Sequence, residues 1–343
     1  MIAAGARQTI ANGSFLVPLM AHVYVYSPSG AVRDRAAFRR GVRRLQALGH
    51  DVEVDTAALL SWQRFAGDDA TRLAAIGRAA ASGADVTLIS RGGYGLSRLL
   101  PDLPWRAIAR AAERGTHWVG FSDFTALQLG LLARHPATTW AGPALCEGFG
   151  AADGTDAGEG HGGDATTSGP DEIMLACFED LTSGSGEGTG WRLPAADLKA
   201  LQGRHGGVLA DHGVLWGGNL AMVTSLLGTP WWPEIKGGVL FLEDVGEHPY
   251  RIERMLTQLL HAGVLARQKL IVLGRFTDYS LTPHDRGYSL AKVVDWLRAQ
   301  LKAPVLTGLP FGHVPTKVLL PVGQPVQALV EGRDALLLWG HLH

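Results

Sequence analysis

Alternating apolar and polar stretches divide the first half of the chain into strands and helices. The apolar run at 23–26 predicts a buried first strand, which ends at the turn SPSG. Two amphipathic stretches follow, and each ends at a glycine, Gly49 or Gly83, as helices commonly do. Further buried strands are predicted at 86–89 and at HWVG. Strands that alternate with helices predict an α/β domain with a mostly parallel sheet flanked by helices.

The second half of the chain shows a different pattern. GVLFLED and KLIVLGRF are predicted strands, and glycine-bounded apolar pieces after residue 302 predict a smaller, β-rich, partly antiparallel or barrel-like sheet. Between the halves, residues 149–190 are rich in Gly, Asp, Ser and Thr around one apolar stretch, IMLACFEDL, which predicts a short helix. We therefore expect an N-terminal α/β domain at 1–148, a linker with an insertion at 149–190, and a C-terminal domain at 191–343.

Composition narrows the class of protein. The 343 residues are 46% hydrophobic, enough for the cores of two domains. A net charge of −1 without a long basic run argues against nucleic acid as a partner. Two cysteines without a C-x-x-C motif predict neither a disulfide framework nor a cysteine zinc site, and they fit a reducing compartment. Because no apolar run reaches the ~18–20 residues of a membrane span, we expect a soluble cytoplasmic protein with no membrane partner.

The loop SRGGYG, which follows the strand at 86–89, is the first candidate for chemistry. Arg98 stands where the third glycine of a dinucleotide-binding motif would be, and no G-K-[ST] follows. Gly92 and Gly93 instead allow backbone N–H groups to approach a ligand closely, and two such donors could hold an oxyanion or a carboxylate. A tight structural turn is the alternative interpretation.

The stretch GFSDF places Ser122 at a corner between a strand and a helix. A serine there is exposed at the sheet edge near the positive end of the helix, which suits a nucleophile. The alternative is a serine that caps the helix. The G-x-S-x-G signature is incomplete, since Phe124 replaces its second glycine.

A serine nucleophile requires a base, and the base requires an orienting acid. His313 lies in LPFGHVP, between glycine and a proline-terminated segment. Glu243 ends the apolar strand GVLFLED, where a carboxylate is costly unless it is paired or used. The alternatives are a core histidine at 313 and an ion pair from Glu243 to Arg251 or Arg254.

Five motifs together resemble one known family, the LD-carboxypeptidases, which are serine peptidases of murein recycling. In chain order they are SRGGYG, VGFSDFTAL, WGGNLAMVTSLLGTP, LFLEDVGEHPYRIERML and GHVP. The resemblance covers nearly the whole chain except the insertion and the first dozen residues. It implies a Ser–Glu–His triad of Ser122, Glu243 and His313, which would meet in a cleft between the two domains. It also implies a protein that is commonly a homodimer.

The resemblance further implies a substrate and the residues that would bind it. The substrate is a murein tetrapeptide cut between its L-centre and the terminal D-alanine, with no metal and no cofactor. The backbone N–H of Asp123 would form an oxyanion hole with that of Gly92 or Gly93, while the Asp123 side chain caps the helix or ties down the loop. Arg91 is the candidate partner for the substrate carboxylate, and a structural ion pair is the alternative for it.

Two other functions stay open on the sequence. Some members of the family resemble microcin-immunity peptidases, which cleave a peptidyl-nucleotide antibiotic. Such an enzyme needs an aromatic pocket for adenine, to which Trp231 and Trp232 could contribute, although packing between domains is the simpler role. The third possibility is a non-catalytic module that only holds a peptide, which the presence of all three triad residue types argues against.

Overall fold

The first half of the chain alternates strands and helices, as predicted. The computed structural model describes residues 20–152, 169–201 and 207–340. The strands of the first half are β1 (His22–Tyr26), β2 (Asp51–Val54), β3 (Val86–Ile89), β4 (His117–Gly120) and β5 (Thr139–Ala141). The helices are α1 (Arg35–Ala47), α2 (Asp69–Ala81), α3 (Leu96–Leu99), α4 (Trp105–Glu113) and α5 (Thr125–Arg134). A single 3₁₀ turn, Ser122–Phe124, separates β4 from α5.

Local signals explain where two of these helices begin and end. The carboxylates of Asp34 and Asp68 each accept a backbone N–H of the first turn, of α1 and α2 respectively, at 2.8 Å. Gly49 and Gly83, which follow the same two helices, have φ angles of 94° and 70°. The left-handed backbone there stops each helix at the predicted glycine.

The second half contributes eight strands and five helices among the described residues. The strands are β6 (Gly188–Arg192), β7 (Gly207–Asn219), β8 (Val239–Val245), β9 (Leu270–Thr277), β10 (Val305–Thr307), β11 (Leu320–Val322), β12 (Pro325–Glu331) and β13 (Asp334–Leu338). The helices are α6 (Glu172–Ser183), α7 (Ala195–Ala200), α8 (Leu220–Leu226), α9 (Pro249–His261) and α10 (Leu290–Gln300). Helix α6 confirms the helix predicted within 149–190. Most of the Gly/Asp-rich tract, residues 153–168, lies outside the described residues.

The first sheet has six strands in the order β11-β5-β4-β3-β1-β2. Strands β1 to β5 are parallel, so their carboxyl ends share one edge. Strand β11 pairs antiparallel with β5, with Leu320 opposite Ala141 and Val322 opposite Thr139. A strand from the C-terminal part of the chain therefore completes the N-terminal sheet.

The second sheet has seven strands in the order β10-β9-β8-β7-β12-β13-β6. Strands β7 to β10 are parallel, whereas β12, β13 and β6 pair antiparallel, which confirms a partly antiparallel sheet. In the parallel part Asn219, at the end of β7, lies opposite Glu243 of β8. Polar side chains of adjacent strands thus meet where these strands end.

The two sheets come together at their carboxyl edges. The backbone N–H of Asn219 donates to the hydroxyl of Thr125 at 3.1 Å, which joins the end of β7 to the start of α5. One apolar cluster contains buried side chains from both halves, among them Phe124 and Phe241. In the three described ranges, no helix combines the length and the apolar character required to cross a membrane.

Candidate active site

Ser122 lies at the corner directly after β4, with a strained backbone. Its φ of 62° is in the left-handed region, which costs a non-glycine residue of order 1–2 kcal/mol. A Cβ at Gly92 would lie 2.8 Å from the Cβ of Ser122, so only glycine fits beside the serine. Neither the 3₁₀ turn nor α5 is capped by a side chain, so the capping alternative for Ser122 has no support.

Glu243 and His313 are hydrogen-bonded to each other. The Oε2 of Glu243 lies 2.8 Å from the Nδ1 of His313, and the glutamate is fully buried on β8. The amide of Asn219 donates to the other oxygen, Oε1, at 3.2 Å. Among the described residues, neither Arg251 nor Arg254 forms the ion pair considered for Glu243. Arg251 instead pairs with Glu247 at 3.6 Å.

The loop that carries His313 crosses the carboxyl ends of β8 and β9 at close range. Gly312 has a φ of 139°, and a Cβ there would lie 2.9 Å from the carbonyl oxygen of Arg275 and 3.3 Å from the Cβ of Glu243. A larger residue would push the loop away from the sheet. The glycine of the GHVP motif therefore sets the distance between the histidine and the glutamate.

His313 is also next to the corner of Ser122. The ring of Phe121, the residue before Ser122, lies 4.9 Å from the imidazole, centroid to centroid. Because Glu243 engages Nδ1, Nε2 is the ring nitrogen that this hydrogen bond leaves free. The structure thus brings Ser122, His313 and Glu243 from two sheets to one place.

The side chain of Asp123 ties down the neighbouring loop. It is 1% exposed, and its Oδ2 accepts the hydroxyl of Ser29 at 2.7 Å and the N–H of Leu96 at 2.9 Å. Burial raises the pKa of Asp123, and these hydrogen bonds partly oppose the rise. Of the two roles considered for this side chain, the structure confirms the second.

Arg91 is partly engaged within the protein. Its Nε lies 3.6 Å from Oε1 of Glu147, and Nη1 donates to the carbonyl of Ala31 at 3.5 Å. Desolvation raises the pKa of Glu147, while Arg91 opposes this rise. The structural ion pair considered for Arg91 is therefore present, on a side chain that is 20% exposed. Gly93, two residues along the loop, has a φ of 114°.

Three polar residues of the site were not singled out from the sequence. Asn219 bridges two carboxylates, since its Nδ2 also donates to Oδ1 of Asp244 at 2.9 Å. Asn219 and Asp244 belong to the motifs WGGNLAM and FLED, so the signal was available. Lys317, by contrast, carried no signal, because a lysine in a loop is normally exposed.

Lys317 is almost fully buried beneath the histidine loop. Its ammonium donates to the carbonyl of Val314 and lies 4.9 Å from the centroid of the Phe121 ring. Burial lowers its pKa to about 8, against the opposing attraction of Glu147 and Glu243. The lysine therefore holds the loop after His313 against the residue before Ser122.

The acidic side chains of the site are arranged in pairs rather than as a metal cluster. Within the part of the chain that the structure describes, no group of three or more His, Cys, Asp or Glu residues is placed to hold a metal ion.

Cys146 and Cys177 are both free, and burial raises the pKa of each thiol.

Asp244 gives the site a pH-dependent contribution to stability. Desolvation, with the charge of Glu243 as a smaller cause, raises its pKa from 3.8 to about 6. The folded state then holds this proton to higher pH than the unfolded chain, so the stabilisation is full below pH 3.8 and is lost as the pH rises through about 6. We expect the unfolding free energy of Asp244→Asn, relative to wild type, to increase by about 2–3 kcal/mol from pH 4 to pH 7.

Urea titrations at several pH values measure this difference. Curves of wild type and Asp244→Asn that stay parallel over the whole range would contradict the raised pKa.

A serine at the end of a parallel strand, beside a histidine held by a buried carboxylate, is typical of serine hydrolases. Sequence comparison then identifies the family. Residues 23–142 match the LD-carboxypeptidase N-terminal domain, and residues 212–328 match the LD-carboxypeptidase C-terminal domain. The chain belongs to the LD-carboxypeptidase family, and it is a peptidase, as the sequence motifs predicted.

Individual relatives agree with this assignment. The murein tetrapeptide carboxypeptidase of Pseudomonas aeruginosa is 29% identical over 323 residues, which cover 92% of this chain and 94% of that protein. The microcin C7 self-immunity protein MccF of Escherichia coli is 29% identical over 259 residues, 70% of each chain.

Solved structures show the same fold. The crystal structure of muramoyltetrapeptide carboxypeptidase from Oxalobacter formigenes is 34% identical, with a TM-score of 0.75 over 92% of this chain and 97% of that one. The structure of MccF in complex with glutamyl sulfamoyl guanosine is 21% identical, with a TM-score of 0.76 over 95% of this chain and 98% of that one.

Proposed function

We propose that this protein is a serine carboxypeptidase that hydrolyses the L-D amide bond to the terminal D-alanine of murein tetrapeptides, for cell-wall recycling. Ser122 is the nucleophile, His313 the base and Glu243 the acid. The observation that carries the proposal is the hydrogen bond of 2.8 Å between Glu243 and His313, a histidine whose ring lies 4.9 Å from that of Phe121, the residue before Ser122. The murein tetrapeptide carboxypeptidase of Pseudomonas aeruginosa supports the choice of substrate.

The geometry suggests how the residues divide the chemistry. His313 accepts the hydroxyl proton of Ser122 on Nε2, and the buried Glu243 stabilises the imidazolium that results. The serine oxygen attacks the amide carbon, and the protonated His313 then passes its proton to the amine of the departing D-alanine. Water, activated by the same histidine, hydrolyses the acyl-enzyme and restores the free serine.

Backbone groups near Ser122 are the proposed donors to the oxyanion. Asp123 supplies one N–H from the start of the 3₁₀ turn, and Gly92 or Gly93 supplies the other. Gly92 is in contact with Ser122, and Gly30 N–H donates to its carbonyl at 3.2 Å, which fixes the peptide plane that follows Gly92. Donors held in this way need no reorganisation when charge develops on the carbonyl oxygen.

A carboxypeptidase must also recognise the free carboxylate next to the scissile bond. Arg91 is the proposed partner, because it is the guanidinium of the loop that contacts Ser122 and is 20% exposed. Its distance of 3.6 Å to Glu147 is long for a charge-assisted hydrogen bond, so a substrate carboxylate can compete for the same group.

Three peptides test the proposed function in one experiment. We expect the native tetrapeptide to release D-alanine, and its C-terminal amide to lose about 2–5 kcal/mol of transition-state binding, or some 30- to several-thousand-fold in kcat/KM. The peptide that ends in L-alanine should also not be hydrolysed. In this epimer the methyl group and the hydrogen on the terminal Cα exchange places, while the carboxylate is held in a fixed position. Equal kcat/KM values on all three peptides would leave only an unspecific serine hydrolase.

A second candidate is a peptidase that cleaves peptidyl-nucleotide antibiotics, which the likeness to MccF favours. Of the aromatic residues considered for an adenine pocket, Trp232 stacks edge-on against the buried Trp216 at 5.5 Å, and Trp231 also packs against the core. Both have the packing role that the sequence favoured. Hydrolysis of an aminoacyl-sulfamoyl adenylate in preference to the tetrapeptide would select this candidate.

A non-catalytic peptide-binding module is the third candidate. Labelling of Ser122 by a fluorophosphonate probe, lost in Ser122→Ala, would exclude it. We further propose that the protein works in the cytoplasm, which the two free thiols support, and as a homodimer. Light scattering on the purified protein measures the oligomeric state directly.

A further inference from the structure

A group of aromatic side chains near the glycine loop that contacts Ser122 has no role in the proposed chemistry. We call it the aromatic shelf, and it consists of Trp62, Arg64, Phe65 and Tyr94. Trp62 and Tyr94 are each 43% exposed, whereas Phe65 between them is buried. Exposed rings of this size at the edge of a site are typical of ligand contacts.

The rings form one continuous surface. Trp62 stacks on Phe65 with 6.2 Å between centroids and 25° between planes, and the tilted ring of Tyr94 lies 6.1 Å from that of Phe65. The guanidinium of Arg64 lies 5.7 Å from the centroid of the Tyr94 ring. The shelf therefore presents apolar ring surface together with a positive charge.

The backbone of the aromatic shelf is held in place before any ligand binds. Trp62 and Phe65 exchange two backbone hydrogen bonds of 2.9 Å across a tight turn, in which Gln63 has a φ of 53°. The N–H of Ala31 donates to the carbonyl of Arg64 at 3.0 Å, and the preceding residue, Gly30, bonds to Gly92. The same segment thus fixes both the shelf and the loop beside Ser122, so that little ordering is left for a ligand to cause.

The position of the aromatic shelf fits the acyl side of a peptide substrate. Tyr94 is two residues from Gly92, and its Cα lies within about 8 Å of the Gly92 Cα because consecutive Cα atoms are 3.8 Å apart. An extended peptide advances about 3.3–3.6 Å per residue, so residues two and three positions from the cut reach this distance. The proposed substrate has only one residue on the leaving side, which leaves the acyl side for the shelf.

The charge on the aromatic shelf identifies the ligand chemistry. Arg72 and Arg98 lie over the ring of Phe65 and both pair with Asp69. Arg64, in contrast, is exposed and has no carboxylate within 4.0 Å among the described side chains. A free guanidinium next to two exposed rings is suited to a carboxylate carried on an extended chain.

We propose that the aromatic shelf is the binding site for the acyl part of the murein peptide, with Arg64 paired to the carboxylate of its D-glutamyl residue. The faces of Trp62 and Tyr94 cover the neighbouring apolar groups of the chain. This inference rests on the proposed function and adds a determinant of substrate length and charge to it.

Substrate length provides the first test. We expect Trp62→Ala to lower kcat/KM about tenfold on the tetrapeptide, mainly through KM, and to leave hydrolysis of acetyl-L-lysyl-D-alanine unchanged. The shorter substrate contains the scissile bond but nothing that reaches the shelf.

Substrate charge provides the second test. Wild type should prefer a tetrapeptide with a free D-glutamyl carboxylate over its amide by about threefold to tenfold at low salt, and Arg64→Gln should remove this preference. Arg98→Gln is the matched control, since Arg98 lies over the same ring but is paired with Asp69, and it should keep the preference.

The outcomes separate this inference from the proposed function. If wild type releases D-alanine, and Trp62→Ala and Arg64→Gln match wild type on every peptide, the proposal for the aromatic shelf is overturned. The proposal of a peptidase then stands. Equal losses on the short and long substrates, or a loss confined to an aminoacyl-sulfamoyl adenylate, would overturn it as well. Absence of D-alanine release from all peptides by wild type would overturn both.

Discussion

Replacement of Ser122 by alanine is expected to abolish peptide hydrolysis and to leave the fold intact. Loss of a triad nucleophile typically lowers the rate by about 10⁴–10⁶-fold. Alanine keeps the Cβ that Gly92 accommodates and tolerates the φ of 62° no worse than serine, so stability should change little. Circular dichroism and D-alanine release, measured on the same preparation, test both parts of the expectation.

Ser90→Ala is a matched control for this variant. Ser90 lies at the end of the neighbouring strand β3, and its hydroxyl is 2.6 Å from that of Ser27, buried inside the domain. We expect it to lose some stability and to keep activity within about tenfold. A folded Ser122→Ala protein with more than a few per cent of wild-type activity would refute the assignment of the nucleophile.

Replacement of Glu243 by glutamine is expected to lower the rate by about 10⁴-fold, as neutralising the acid of a triad does. Glutamine retains the shape of the side chain but removes the charge that stabilises His313 as an imidazolium. It also places an NH₂ group where Nδ1 of His313 needs an acceptor, which favours the wrong tautomer. The measurement is kcat of the tetrapeptide at saturating concentration.

Glu247→Gln serves as the control for position and charge. Glu247 is four residues further on and pairs with Arg251 at the surface, at a distance of 3.6 Å. Such pairs contribute little, so near-normal activity is expected. If Glu247→Gln is the crippled variant and Glu243→Gln is almost normal, the acid has been assigned to the wrong glutamate.

Much of this site could be predicted because its residues lie at the ends of predicted strands. Ser122 and Glu243 each end an apolar run, and polar residues in such positions are costly unless they are used. Strand ends of a parallel sheet also share one edge, so the serine and the SRGGYG loop were expected near each other. The meeting of the two sheets, however, followed from the family resemblance and from no local pattern.

The remaining features depend on contacts between distant parts of the chain. Lys317 is buried because the ring of Phe121, almost two hundred residues earlier, covers it. Likewise Glu147 approaches Arg91 only through the fold, and neither contact leaves a periodic signal. The aromatic shelf was missed for the same reason, since Trp62 and Tyr94 come from separate loops.

The pairing of β11 with the first sheet has a consequence for biosynthesis. Until residue 322 has been made, β5 has no partner on its outer side and presents an open edge that other strands can pair with. The N-terminal half therefore emerges from the ribosome as an incomplete sheet, and a strand within the last tenth of the chain must return to complete it. A truncated chain that ends before β11 is therefore expected to carry an open edge at β5 and to aggregate more readily than the full chain.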